Sequence, residues 1–145
     1  MEHSMTHEFF LVKVVEKGAL LKDNFCNNVI HGNCLGDENK DYIEVSSTWF
    51  HNEFMEYIWL SLTDFTVKLN FTGLTVLEKR HDIVKLSRVC RGWILVFKEF
   101  PEKFEMGAWD DVFQRGDVIE NLKKLESMSK KAIVHPDHIM LYAGI

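Results

Sequence analysis

Apolar positions recur along most of this chain at helical spacing. Between Thr6 and Leu21, Phe10, Val14, Gly18 and Leu21 fall on one stripe with Leu11 and Val15 beside it, while Glu8, Lys13, Glu16 and Lys17 lie off it. That period predicts an amphipathic helix. Ser46-Ser47-Thr48 form a helix-start signal with Glu53 and Glu56 in the early turns. Phe50, Phe54, Ile58 and Leu62 then repeat every four residues with Tyr57 alongside, so a second helix is expected to end near Thr63-Asp64. The pattern is cleanest over Asp82 to Phe100. There Ile83, Leu86, Cys90, Trp93 and Phe97 share a face that Asp82, Lys85, Arg88 and Lys98 avoid, and Pro101 stops the helix. Val118, Leu122, Leu125 and Met128 mark a last helix, with Asp117 and Glu120 at its start and Lys130 and Lys131 at its end, as the helix dipole favours.

Three stretches are less regular. Asn24 to Asp41 contains Asn27, Asn28, Gly32, Asn33 and Gly36, poor helix formers, and only a short irregular helix near Asn28 to Leu35 is expected. Met106 to Phe113 reads as a short element closed by Gly116. Phe65 to Glu78 is ambiguous. Thr66, Val67, Thr72, Thr75 and Val76 are β-branched, and Val67, Leu69 and Phe71 alternate, which by itself favours a strand. A buried central helix would be equally apolar on most faces, so periodicity does not decide.

Composition narrows the function classes. The 145 residues suit one domain, 1–145, and 46% hydrophobic against 27% charged residues supply a core. Two prolines, Pro101 and Pro136, and eight glycines favour helices over a many-turned β-sandwich. A net charge of -5 argues against nucleic acid as a partner. Cys26, Cys34 and Cys90 are odd in number and widely spaced, which reads as reduced thiols rather than a disulfide scaffold or zinc knuckle. No basic region leads into a long apolar run at the start, so no signal peptide is expected. Apolar runs such as Trp93 to Phe97 fall far short of the ~20 residues of a membrane span, and the apolar His138–Ile145 end is too short for a membrane tail.

Candidate chemistry is sparse. His135-Pro136-Asp137-His138 has the spacing of half a metal site, but no carboxylate or thiol cluster accompanies it; a surface turn is expected, and no metal. Cys90 sits on an apolar stripe, which suits core packing better than nucleophilic chemistry. Asn70-Phe71-Thr72 matches a glycosylation sequon that carries no weight without a secretory signal. No Gly-rich phosphate loop or G-x-S-x-G occurs. Neither an enzyme nor a cofactor is expected.

Gly107-Ala-Trp109-Asp110-Asp-Val-Phe113 resembles the second homology motif of the Bcl-2 family, whose pattern is G-G-W-D-x-F. Leu86-Ser-Arg-Val-Cys-Arg-Gly-Trp93 is similar to the V-S-R-I-x-x-W run of the family's sixth helix, and Phe54 to Asp64 to the segment leading into the first motif. Asn70-Phe71 takes the place of the family's N-W pair, and Gly36-Asp37-Glu38 looks like the G-D-E of the third motif. The family's N-W-G-R is here Asn70-Phe71-Thr72-Gly73, without the ligand-pairing Arg. Such trimming resembles a viral homologue from a large DNA virus of the iridovirus or poxvirus kind.

The resemblance implies an all-α bundle around a buried hairpin of two helices, Val67–Leu77 and Asp82–Phe100. It implies an apoptosis inhibitor that sequesters a pro-apoptotic amphipathic helix in an apolar groove. Phe50, Phe54, Ile58, Leu62, Val67, Phe71 and Leu74 would line that groove, with Asn70 and Gly73 in the matched motif. Gly107, Trp109, Asp110 and Phe113 would form the second motif. Lys68 would replace the missing Arg. Bim-type helices are the expected partners, over a narrow range, and a homodimer is also allowed. The expected location is the host cytoplasm, with recruitment to mitochondria through partners. The main rival is an acidic α+β binding or inhibitor module of the immunity type, with Val67–Val76 as a strand. A small His/Asp enzyme is the other.

Overall fold

The computed structural model describes residues 6–14, 42–106 and 111–144. The expectations for Asn24–Asp41, Cys26 and Cys34, and those for Gly107, Trp109 and Asp110, lie outside these residues.

The architecture is mixed α/β, which corrects the all-α expectation. The strands are β1 (Thr6–Val14), β2 (Tyr42–His51), β3 (Leu74–Leu77), β4 (Lys103–Met106), β5 (Asp111–Gln114) and β6 (His138–Ala143). The helices are α1 (Asn52–Ile58), continued by a 3-10 turn (Trp59–Leu62), α2 (Arg80–Phe97) and α3 (Arg115–Val134). Four strands form an antiparallel sheet in the order β2-β1-β6-β3, and β4 and β5 form a separate hairpin.

Over Thr6–Val14 the expected N-terminal helix is replaced by a strand because both faces of β1 are apolar, and the remainder of that expectation, Val15 to Leu21, lies outside the described residues. His7, Phe9 and Leu11 turn toward the main core, and Phe10, Val12 and Val14 turn to the opposite face with Ile139, Leu141, Leu74 and Val76. A strand clothed on both sides loses its polar alternation and reads as a continuous apolar run. The central-helix expectation for Val67–Leu77 is overturned as well. Asn70 to Gly73 turn back, with Gly73 N–H donating to Asn70 O at 3.2 Å, and the β-branched Thr75 and Val76 sit in strand β3 beside β6. Ser46, Ser47 and Thr48 lie inside β2 rather than at a helix start. The cap belongs instead to His51, whose Nδ1 accepts from Glu53 N–H at 3.2 Å.

The two long helices fall where their stripes place them. They pack along one another, and α3 lies on β1, β2 and β6. The β1–β2 ladder slips between Leu11/Ser46 and Val12/Glu44, so Val45 bulges out of the edge strand, a device that blunts edge pairing. The elements converge at the sheet end where β1 starts, β2 and β6 finish and β3 begins.

Candidate functional site

At that end of the sheet, His7 is fully buried on β1. Its Nε2 lies 2.8 Å from Asn52 Oδ1 at the start of α1, and its Nδ1 lies 2.5 Å from the Tyr142 hydroxyl on β6. An amide oxygen only accepts, so Nε2 carries the proton and Nδ1 accepts from Tyr142. Burial holds the His7 pKa below its usual value, with the Asn52 hydrogen bond working against that. Burial likewise raises that of the Tyr142 phenol. This is a directed chain of neutral groups, and both imidazole nitrogens are occupied within it.

Phe71 covers the chain. Its ring centroid lies 4.7 Å from that of His7 and 4.3 Å from that of Trp59, which meets it nearly at right angles (83°). The turn that carries Phe71 is tied down on both sides. Asn70 Oδ1 accepts from the Thr72 amide and hydroxyl, each at 3.1 Å. Asn70 N–H donates to Thr75 Oγ1 at 2.8 Å, and Gly144 N–H donates to Gly73 O at 2.8 Å. Outside these rings opens a cleft of about 260 Å³ lined by Glu56, Trp59 and Phe71.

The expected groove residues do not share one open surface. Phe50, Phe54, Ile58 and Leu62 are each at most 3% exposed, packed into the main core with Phe9 and Phe97. Val67 is half-buried against that core, while Leu74 packs on the opposite face of the sheet. Asn70, Phe71 and Gly73 do come together, as the turn beside the cleft, and Lys68 stands exposed before it. Phe113 lies in β5, its ring against Phe104 and His51. Sequence reasoning missed His7, Asn52, Glu56, Trp59 and Tyr142. Only a β1–β6 pairing brings His7 and Tyr142 together, and no local signal announces it.

A second depression of about 400 Å³ runs along the outer side of α3, lined by Lys123, Glu126, Ser127, Lys130, Lys131, Val134 and His135. Glu126 sits within it, 3.0 Å from Arg91 Nε and 3.4 Å from Lys130 Nζ, so part of the positive charge there is already neutralised. The His135–His138 segment is the expected turn: His138 Nδ1 pairs with Asp137 at 2.7 Å. No group of three or more His, Cys, Asp or Glu with metal-holding geometry occurs among the described residues. No helix among them is long and apolar enough to cross a membrane. No protein-family model, curated protein or solved structure matches the chain.

Proposed function

We propose that this protein is an acidic α+β protein-binding module that engages a basic partner surface through residues 42–67. One observation carries the reading. That segment contains no Lys or Arg, holds Glu44, Glu53, Glu56 and Asp64, and presents Trp49, Tyr57 and Leu60 at 51%, 55% and 79% exposure. Large aromatics are the side chains most enriched at binding hot spots, and acidic residues in the same segment speed and select an oppositely charged partner. Asp64 is engaged by Lys85 at 3.0 Å, which leaves Glu44, Glu53 and Glu56 as the charges offered. A partner that uses its basic surface for its own activity would be inhibited by such capture. A death-ligand helix is not retained as the partner, because the four side chains meant to grip its anchors, Phe50, Phe54, Ile58 and Leu62, are spent in the core.

Selection of a displayed random-peptide library on the folded protein tests the reading. Enriched peptides are expected to be rich in Lys and Arg and to lose binding to the double variant Trp49→Ala/Tyr57→Ala. Enrichment of neutral or acidic peptides, or binding indifferent to that variant, would overturn it.

A further inference from the structure

We infer that the cleft between Glu56, Trp59 and Phe71 receives the guanidinium group of an arginine side chain supplied by the partner. The inference rests on the binding-module reading and assigns one pocket of that surface its ligand. Three observations converge on it. The first is shape. Trp59 and Phe71 stand at 83° with centroids 4.3 Å apart, so they form two walls of a corner. A planar cation lies on an aromatic face, where the ring quadrupole attracts it.

The second observation is charge. Glu56 lines the same cleft three residues before Trp59, one helical turn away on the same side of the segment. A guanidinium pairs with a carboxylate while stacking on a ring, which a compact ammonium does less well. Neither Lys nor Arg lines the cleft, and the nearest along the chain is Lys68, exposed three residues before Phe71. His7 behind Phe71 is neutral, its Nδ1 already accepting from Tyr142.

The third observation is size and rigidity. At about 260 Å³ the cleft falls below the ~300–1,000 Å³ of pockets that enclose a drug-sized molecule, and its Glu56 is exposed to solvent. It therefore suits one side chain reaching in from a larger surface. Its aromatic wall is fixed in advance by the Asn70–Gly73 turn and by the bond from Gly144 to Gly73, which lowers the ordering cost of binding.

The test uses the whole chain and capped arginine (acetylated and amidated) as the probe, with capped citrulline as its neutral isostere. The Trp59 indole N–H signal, assigned by its loss in Trp59→Phe, is followed by nuclear magnetic resonance. Capped arginine is expected to shift it saturably in the millimolar range, capped citrulline to bind at least about fivefold more weakly, and Glu56→Gln to weaken arginine by a similar factor. Absence of a saturable shift, equal binding of citrulline, or an indifferent Glu56→Gln would each overturn the assignment. The two readings fail separately. If library-selected peptides still depend on Trp49 and Tyr57 while Glu56→Gln leaves peptides and capped arginine unaffected, the module stands and the arginine cleft falls.

Discussion

The Tyr142 hydroxyl donates to Nδ1 of His7 across 135 positions of sequence, the two rings lying nearly parallel (12°) with centroids 5.8 Å apart. They are diagonal neighbours on β6 and β1, since Tyr142 is registered opposite Phe9, and the bond ties two strands from opposite ends of the chain. Tyr142→Phe keeps the ring and removes the donor, leaving a buried acceptor without a partner. The expected cost is about 1–3 kcal/mol, read by urea unfolding. Adding His7→Phe should recover part of that loss, because removing both partners leaves nothing unpaired. A single variant as stable as the parent would show that the bond contributes nothing.

The same pair fixes a pH dependence. The folded pKa of His7 lies below its unfolded value because burial disfavours the imidazolium. As pH falls below about 6.5, the unfolded chain takes up a proton that the folded chain refuses. The stability contributed by neutral His7 is therefore complete above that value and is lost on acidification, by at most about 1.4 kcal/mol per pH unit. Glu8, its carboxyl raised by burial and by Glu44, acts in the opposite sense at lower pH. The measurement is therefore a difference. Stability of the parent should fall from pH 7 to 5 more steeply than that of His7→Gln, and parallel curves would refute the assignment.

What could be read in the sequence follows from how far each element's partners lie. The helices α2 and α3 were legible because Ile83, Leu86, Cys90 and Phe97, and Val118, Leu122, Leu125 and Met128, bury one stripe of a long helix. The strands were not. Phe10 and Val14 are four apart by helical spacing, yet they sit on the outer face of β1 while Phe9 and Leu11 fill the core. Phe50 and Phe54 seemed one helical repeat but span the end of β2 and the start of α1, where their stacked rings lie 5.1 Å apart. Local propensity favours a strand for Thr75 and Val76, and a strand forms, against the helix that the motif resemblance implies. Of the cleft, only Phe71 was among the expected site residues, because Glu56 and Trp59 gain meaning only once the Asn70–Gly73 turn folds against them.

Cys90 should be chemically silent in the folded protein. It is 1% exposed on α2, and burial first, with the Glu126 carboxylate second, pushes its thiol pKa far up. The thiolate is the reactive form, so alkylation requires opening of the α2–α3 core. Peptide mass mapping after iodoacetamide treatment should find Cys90 unmodified in native buffer and modified in urea, with labelling that tracks global unfolding. Rapid labelling under native conditions would mean that this part of the core opens on its own.

The turn that carries Phe71 into the cleft packs its backbone against Gly144. A Cβ placed on Gly144 collides with the carbonyl of Phe71 and comes within 2.8 Å of Asn70 O. These are backbone atoms, which cannot swing aside as the end of a side chain would. Gly144→Ala must therefore push the 70–73 turn away from β6 and strain the Gly144–Gly73 hydrogen bond. Overpacking of this kind costs about 1–3 kcal/mol. Gly92 supplies the contrast, being exposed on α2, where a methyl group would meet nothing within 4 Å. Gly92→Ala should stabilise the protein by about 0.5–1 kcal/mol through helix propensity. Urea unfolding of the two variants should thus move in opposite directions. Because Phe71 rides on the displaced turn, Gly144→Ala should also abolish the arginine-induced shift at Trp59, while Gly92→Ala leaves it intact. If Gly144→Ala is as stable as the parent and still binds capped arginine, the turn is not held against β6 by this contact, and the rigid aromatic wall loses its support.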